Sequence, residues 1–197
     1  DPGKGVRRSP AGTGITVYRS LAIPDVILIE PKKFEDERGW FIETYKTSVW
    51  KQGGIGEAFV QDNQSLSRKA GTIRGLHFQI PPAAQAKLVR CTAGAVFDVA
   101  VDIRHRSPTF GQHVSAELSD ANGRQMYVPA GFAHGYCTLL PDTVVEYKVS
   151  NAYDPASERG ILWNDPGLAI QWPLADAALL SPRDRDLPCL DVLAAYF

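Results

Sequence analysis

Between Arg74 and Arg90 the chain reads RGLHFQIPPAAQAKLVR, which sets a histidine, a lysine and two arginines on two short strand-like runs joined by a Pro-Pro turn. Strand alternation puts Gly75, His77 and Gln79 on one face and Leu76 and Phe78 on the other; on the return run Lys87 and Val89 face together, opposite Leu88 and Arg90. Cations gathered on a rigid sheet suit an anionic ligand, and a base beside a cation can remove a proton and stabilise the charge left behind. The same pattern equally describes a half-exposed hairpin with one polar face, and spacing alone does not separate the two.

Other candidate groups lie further along. The four histidines, His77, His105, His113 and His134, form no His-x-His pair and have no nearby glutamate that would put two ligands on one strand face, so no metal is expected. His105, in RHRSP, reads as a solvated turn residue. His134, in PAGFAHGYCTLL, belongs at a barrel mouth beside Tyr136, with a backbone carbonyl as its expected partner. Tyr147 shares a face with Val145 and Val149, which turns its ring inward and Glu146 and Lys148 outward; by itself it reads as core with a satisfied hydroxyl. Asp184 follows a Ser-Pro turn between Arg183 and Arg185 and reads as part of a solvated charge cluster. Nucleophile motifs, phosphate-binding glycine loops and dinucleotide fingerprints are absent from the sequence, which leaves covalent and redox chemistry without support.

The elements that must position these groups are strands. Short apolar runs at 26–30, 39–45, 59–63, 75–79, 86–91, 95–103, 113–118, 125–128, 133–139 and 143–150 are separated by Gly, Pro, Asn or Asp turns, the pattern of an all-β jelly-roll barrel. The run 95–103 alternates Phe97, Val99, Val101 and Ile103 with Asp98, Ala100 and Asp102, and predicts one apolar and one polar face. Short helices are expected at 48–52 and at 191–196, the latter with Asp191 as N-cap. Residues 1–14, rich in Gly, Pro and charge, read as a flexible leader, and 15–197 as one domain: 197 residues with 44% hydrophobic content suffice for one core.

A net charge of -1, from 21 basic and 22 acidic residues, provides no global field for nucleic acid or an acidic membrane, so any anion must be held locally. Three widely spaced cysteines, Cys91, Cys137 and Cys189, argue against a disulfide framework, with Cys91 and Cys137 expected in the core. With no membrane-length apolar run and no secretion signal in the sequence, a cytoplasmic location is expected.

The motifs IPDVILIEPKKFEDERGWFIETY, FVQDNQS, IRGLHFQ, AQAKLVR, VFDVAVDIRHRSPTFGQ, PAGFAHGY, EYK and ILWNDPGLAIQWP, in that order, resemble the dTDP-4-dehydrorhamnose 3,5-epimerase family over nearly the whole chain beyond residue 14. The resemblance implies a cupin-like jelly roll with short peripheral helices, one near the C-terminus. It implies His77 as catalytic base, oriented by Asp184, with Tyr147 as acid on the opposite sugar face and Lys87 near the substrate carbonyl. Gln61, Asn63, Arg74, Lys87, His134, Glu158 and Arg183 would line the site. Arg38, Phe41 and Glu43, from ERGWFIE, would reach it from the neighbouring subunit of a strand-exchanged homodimer. The implied substrate is a dTDP-linked 4-ketosugar, with no cofactor and no metal. Three positions depart from the family pattern: Ala152, where relatives often carry a second tyrosine that stacks on thymine, Ala86 for glycine, and Tyr127 for tryptophan.

The implied chemistry explains the residue types. Deprotonating a carbon next to a ketone with an imidazole faces a mismatch of roughly ten pKa units, on the order of 14 kcal/mol. A positioned base contributes only ~10²- to 10⁴-fold, about 3 to 5 kcal/mol, so the enolate oxygen must be stabilised too, and Lys87 is the natural donor. A single-carbon epimerase, a catalytically silent sugar-nucleotide-binding barrel and a cupin metalloenzyme are the rival readings.

Overall fold

The structure, a computed structural model, describes residues 6–8 and 16–197. Fourteen strands among the described residues build two antiparallel sheets facing each other as a jelly roll, plus one separate hairpin. The seven-stranded sheet runs β1 (Val6–Arg8), β2 (Val17–Ser20), β3 (Ile27–Glu30), β11 (Gln125–Val128), β8 (Lys87–Ala93), β13 (Thr143–Val149), β6 (Gln61–Ser67). The five-stranded sheet runs β10 (His113–Ser119), β9 (Ala95–Asp102), β12 (Phe132–Thr138), β7 (Ile73–Gln79), β14 (Glu158–Gly160). The hairpin pairs β4 (Phe34–Asp36) with β5 (Gly39–Phe41). Of the leader expected over 1–14, Val6–Arg8 is strand β1, paired with β2, and the rest lies outside the described residues.

Three apolar clusters hold the barrel. Val89, Val96, Ala100, Leu118, Met126, Phe132 and Val145, from both sheets, meet between them. Outside the five-stranded sheet, Ile73, Leu76, Phe78, Val99, Val101 and Cys137 are covered by Ile161, Leu168, Ile170 and Trp172 of the C-terminal segment. Outside the seven-stranded sheet, Trp50 of helix α1 (Thr47–Gln52) packs on Tyr18, Ile29, Leu88 and Tyr127. Each such side chain, fully buried, contributes about 1.5–3 kcal/mol.

This layering changes two expectations. The run 95–103 has no solvent-facing polar side: Val99 and Val101 face the C-terminal layer, Val96 and Ala100 the interior, and Asp98 and Asp102 are fully buried. Both aspartates are retained because they have partners, His134 for Asp98, and Arg104, Ser107 and Thr109 for Asp102. Nor do the two runs around the Pro-Pro turn form a hairpin. β7 pairs with β12 and β14, β8 with β11 and β13, so the turn carries the chain from one sheet to the other. Both strands bury two faces, which a half-exposed hairpin would not permit.

The run 39–45 is strand only over Gly39–Phe41. At the C-terminus the expected helix over 191–196 reduces to a 3₁₀ turn, Leu190–Val192, preceded by Cys189 rather than capped by Asp191. The Leu190 N–H is taken by Asp165 Oδ2, and Tyr196 and Phe197 pack on Phe78, which draws the chain out of helical geometry. The short helix α2 (Pro182–Arg185) lies outside the two runs read as helical; it starts at Ser181, whose hydroxyl accepts the Asp184 N–H, with Pro182 in the first turn.

Candidate active site

The site is built where β7 breaks its alternation. Strict period-two geometry would send Arg74 and His77 to opposite faces. In the structure His77 is opposite His134 while Arg74 is opposite Tyr136, so three steps on β7 match two on β12, a β-bulge. Gly75 absorbs it with φ +125°, and a Cβ there would lie 2.7 Å from the Gly135 Cα. The extra residue turns both Arg74 and His77 into the barrel, where they line one cavity.

That cavity, about 470 Å³, is bordered by Ser65, Arg74, His77, Lys87, His134, Tyr136, Tyr147, Arg183 and Asp184 among others. A second hollow of about 200 Å³ shares His77, Lys87 and Tyr147 and adds Gln61, Asn63, Gln79, Tyr153 and Glu158. The three shared side chains therefore stand at the junction of a continuous groove.

His77 Nε2 is 2.7 Å from Asp184 Oδ1, and Asp184 Oδ2 accepts the Gly75 N–H at 3.2 Å. With its Nε2 proton donated to the carboxylate, His77 keeps Nδ1 as an acceptor. Asp184 is 4% exposed. Burial pushes its carboxyl up, but the hydrogen bond and charge of His77, the Gly75 N–H and the Arg183 charge outweigh burial and hold it below its ordinary value. This is an oriented pair with a buried carboxylate, not the solvated cluster that the flanking arginines suggested. The capped first turn of α2 aims Asp184 inward.

Lys87 is buried, its Nζ 3.5 Å from the His77 carbonyl oxygen and 5.9 Å from the Tyr147 ring centroid. Burial draws the ammonium down to about 8, against the opposing pull of Asp98 and Glu158. Tyr147 turns inward with Val145 and Val149, as expected. Burial raises its phenol, partly offset by Arg74, so it holds its proton at neutral pH.

His134 is paired with a carboxylate, Asp98 Oδ1 at 2.8 Å, rather than the backbone carbonyl expected. Asp98 Oδ2 has no hydrogen-bond partner among the described residues. Arg74 donates to Ser67 Oγ and the Leu66 carbonyl. At the far end, Glu158 accepts from Arg183 at 2.8 Å and from the Tyr153 hydroxyl at 2.7 Å, and Gln61 donates to Asn63 at 2.8 Å.

Arg38, Phe41 and Glu43 are exposed on or beside the β4–β5 hairpin and line neither hollow within one chain; Arg38 binds Asp36 instead. His105 is exposed and stacks on Phe110, and His113 also lies outside the groove. Sequence reasoning missed Tyr153, Ser65 and Asp98 as groove or supporting residues, and though it set Gln79 on the His77 face and Tyr136 at the barrel mouth, it gave neither a role. Two signals were available: an aromatic in the turn SNAYDP just after Tyr147, and an aspartate inside an apolar strand. Among the described residues no cluster of His, Cys, Asp and Glu is arranged to hold a metal ion.

A base on one wall, an ammonium beside it and a phenol form a set suited to proton transfer next to a carbonyl. Comparison with known proteins points the same way. The profile described as dTDP-4-dehydrorhamnose 3,5-epimerase matches residues 20–191. The enzyme of that name from Pseudomonas aeruginosa is 55% identical over 166 residues, 84% of this chain and 91% of its own. The crystal structure of a dTDP-4-dehydrorhamnose 3,5-epimerase from Bacillus anthracis with TDP and PPi bound superposes with a TM-score of 0.84 at 50% identity, covering 86% of this chain and 96% of that one. A dTDP-6-deoxy-D-glucose-3,5-epimerase from Legionella pneumophila, in complex with dTDP-4-keto-L-rhamnose, gives 0.87 at 45% identity, covering 91% and 95%.

Proposed function

The chain belongs to the dTDP-4-dehydrorhamnose 3,5-epimerase family, and from that premise we propose that it inverts carbons 3 and 5 of dTDP-4-dehydro-6-deoxy-D-glucose to give dTDP-4-dehydro-L-rhamnose. The observation that carries this reading is the convergence of the Asp184-oriented His77, Lys87 and Tyr147 at the junction of one groove.

In the proposed reaction His77 Nδ1 takes the proton from the carbon beside the keto group, and Asp184 stabilises the imidazolium that forms. Lys87, an ammonium at neutral pH, meets the negative charge that gathers on the carbonyl oxygen. Tyr147 then delivers a proton from the opposite face; solvent returns a proton to the Tyr147 oxygen and takes one from His77, and the same cycle then acts at the second carbon. Every step is redox-neutral and each proton has a named donor or acceptor, so the proposal includes no cofactor or metal.

The cations Arg74 and Arg183, with His134, Gln61, Asn63 and Glu158, would position a dTDP-linked 4-ketosugar whose diphosphate carries no reacting bond. Arg38, Phe41 and Glu43 would complete the site from the second copy of a strand-exchanged homodimer. No helix among the described residues is long and apolar enough to cross a membrane, and unpaired thiols at Cys91, Cys137 and Cys189 support placing the enzyme in the cytoplasm.

Incubation of the ketosugar with the protein in deuterated water tests the reading directly. Label is expected at both carbons; label at one only would mark a single-carbon epimerase, and none would overturn the enzymatic reading. His77→Ala is expected to reduce exchange by ~10²- to 10⁴-fold, and substantial retained exchange would remove His77 as the base.

A further inference from the structure

Two hydroxyls in the larger cavity have no part in the reaction as described. Tyr136, on β12, is 4% exposed, and its phenol oxygen is 2.7 Å from Ser65 Oγ on β6. Both side chains border the cavity together with Tyr147. In the β6–β13 register Ser65 is opposite Val145 and Asn63 opposite Tyr147, so Ser65 and Tyr147 are diagonal neighbours on the inward face. Such neighbours are roughly 7–8 Å apart at the backbone, within reach of an aromatic side chain.

Either oxygen of this bond is able to donate. Burial, its largest influence, drives the Tyr136 phenol up to about 12, so it keeps its proton across the working pH range. That buried O–H has Ser65 as its hydrogen-bond partner, and leaving it unmade would cost about 1–3 kcal/mol. With Tyr136 donating and Ser65 accepting, that cost is avoided. In that arrangement the single proton of Ser65 turns away from Tyr136, toward the cavity that both side chains border.

Resting on the epimerase reading above, we propose that Tyr136 is a positioning residue that acts through Ser65, fixing the serine hydroxyl as a donor to the Tyr147 oxygen as that oxygen gives up its proton. The bond balance is simple. The Tyr147 O–H breaks, the new C–H forms on the enolate carbon, and the charge left on the Tyr147 oxygen is met by the Ser65 O–H. No proton passes to Tyr136, and the interaction is stronger in the transition state than in the ground state, so it acts on kcat.

The test is a double-mutant cycle with Tyr136→Phe, Ser65→Ala and the pair, measured by steady-state kinetics on the ketosugar. Each single variant is expected to lower kcat about tenfold, the size of one hydrogen bond, with KM within about twofold of wild type. The double variant is expected to be no slower than Ser65→Ala, because Tyr136 acts only through the serine. Ser65→Thr, which keeps the hydroxyl, is expected to recover most of the lost rate. Multiplicative losses near a hundredfold, an unchanged kcat in Tyr136→Phe, or equal loss in Ser65→Ala and Ser65→Thr would overturn the proposal. Should Tyr136→Phe fold poorly, the alanine and threonine pair at position 65 still decides. Failure of the epimerase reading itself is separate: it shows in the unaltered protein as absence of deuterium exchange.

Discussion

Lys87 shows how burial sets a residue's working range. Its ammonium is drawn down to about 8, so in the free protein it loses its charge as the pH rises through that value, and with it the means to stabilise the enolate of the proposed reaction. We expect kcat/KM to fall on the alkaline side of about pH 8, roughly tenfold per further pH unit. Lys87→Arg, whose guanidinium stays protonated, should lose that limb. A profile unmoved by the substitution would assign the limb to another group. At this scale the inward facing of Tyr147 was legible from alternation, as were the faces that His77 shares with Gln79 and Lys87 with Val89, though not that those faces line one cavity. Asp184 was not, because its covalent neighbours are arginines while its spatial neighbour is a histidine 107 positions away.

Elements decide whether these residues meet. The bulge at Gly75 gathers Arg74 and His77 on one face, and it needs a residue without a Cβ at φ +125° and at close approach to Gly135. Gly75→Ala is expected to cost about 2 kcal/mol or more in denaturation midpoint experiments and to lower exchange activity with it. Wild-type stability and activity together would show that the strand tolerates a side chain there.

The turn after β9 depends on Asp102 in a different way. Burial pushes this carboxyl up, but the Arg104 guanidinium and the Ser107 and Thr109 hydroxyls outweigh it and hold it at about 2. A depressed folded-state value means stability present above the unfolded value of roughly 3.9 and lost as the pH falls toward about 2, an effect of about 2 kcal/mol. Urea unfolding of wild type and Asp102→Asn near pH 6 and near pH 2 should show the gap between them narrowing by about that amount. A constant gap would mean that the aspartate acts by shape alone.

For the molecule as a whole, the β4–β5 hairpin stands out among the described residues: it pairs with neither large sheet, and Trp40 is 59% and Phe41 66% exposed. It carries Phe41 and, in its turn, Arg38, while Glu43 follows in the same segment; the proposed function draws all three from a second copy. Sedimentation is expected to give twice the 21.6 kDa chain mass. Arg38→Ala should raise KM about tenfold, the scale of one charge-assisted contact, with little change in kcat. A fully active monomer would refute strand exchange as part of the site.

Strand periodicity, turn residues and apolar content by themselves determined that this chain is an all-β barrel, and the same alternation showed which side chains share a face wherever no bulge interrupts a strand. These are local properties, set within a few residues by backbone geometry. Tertiary structure alone decided that β7 and β8 belong to different sheets, that the polar side of β9 is interior, and that Asp98 and Asp184 each meet a histidine. Those outcomes depend on which distant strands pair and in what register, and pairing is chosen by the burial of whole faces, a quantity that no short stretch of sequence contains.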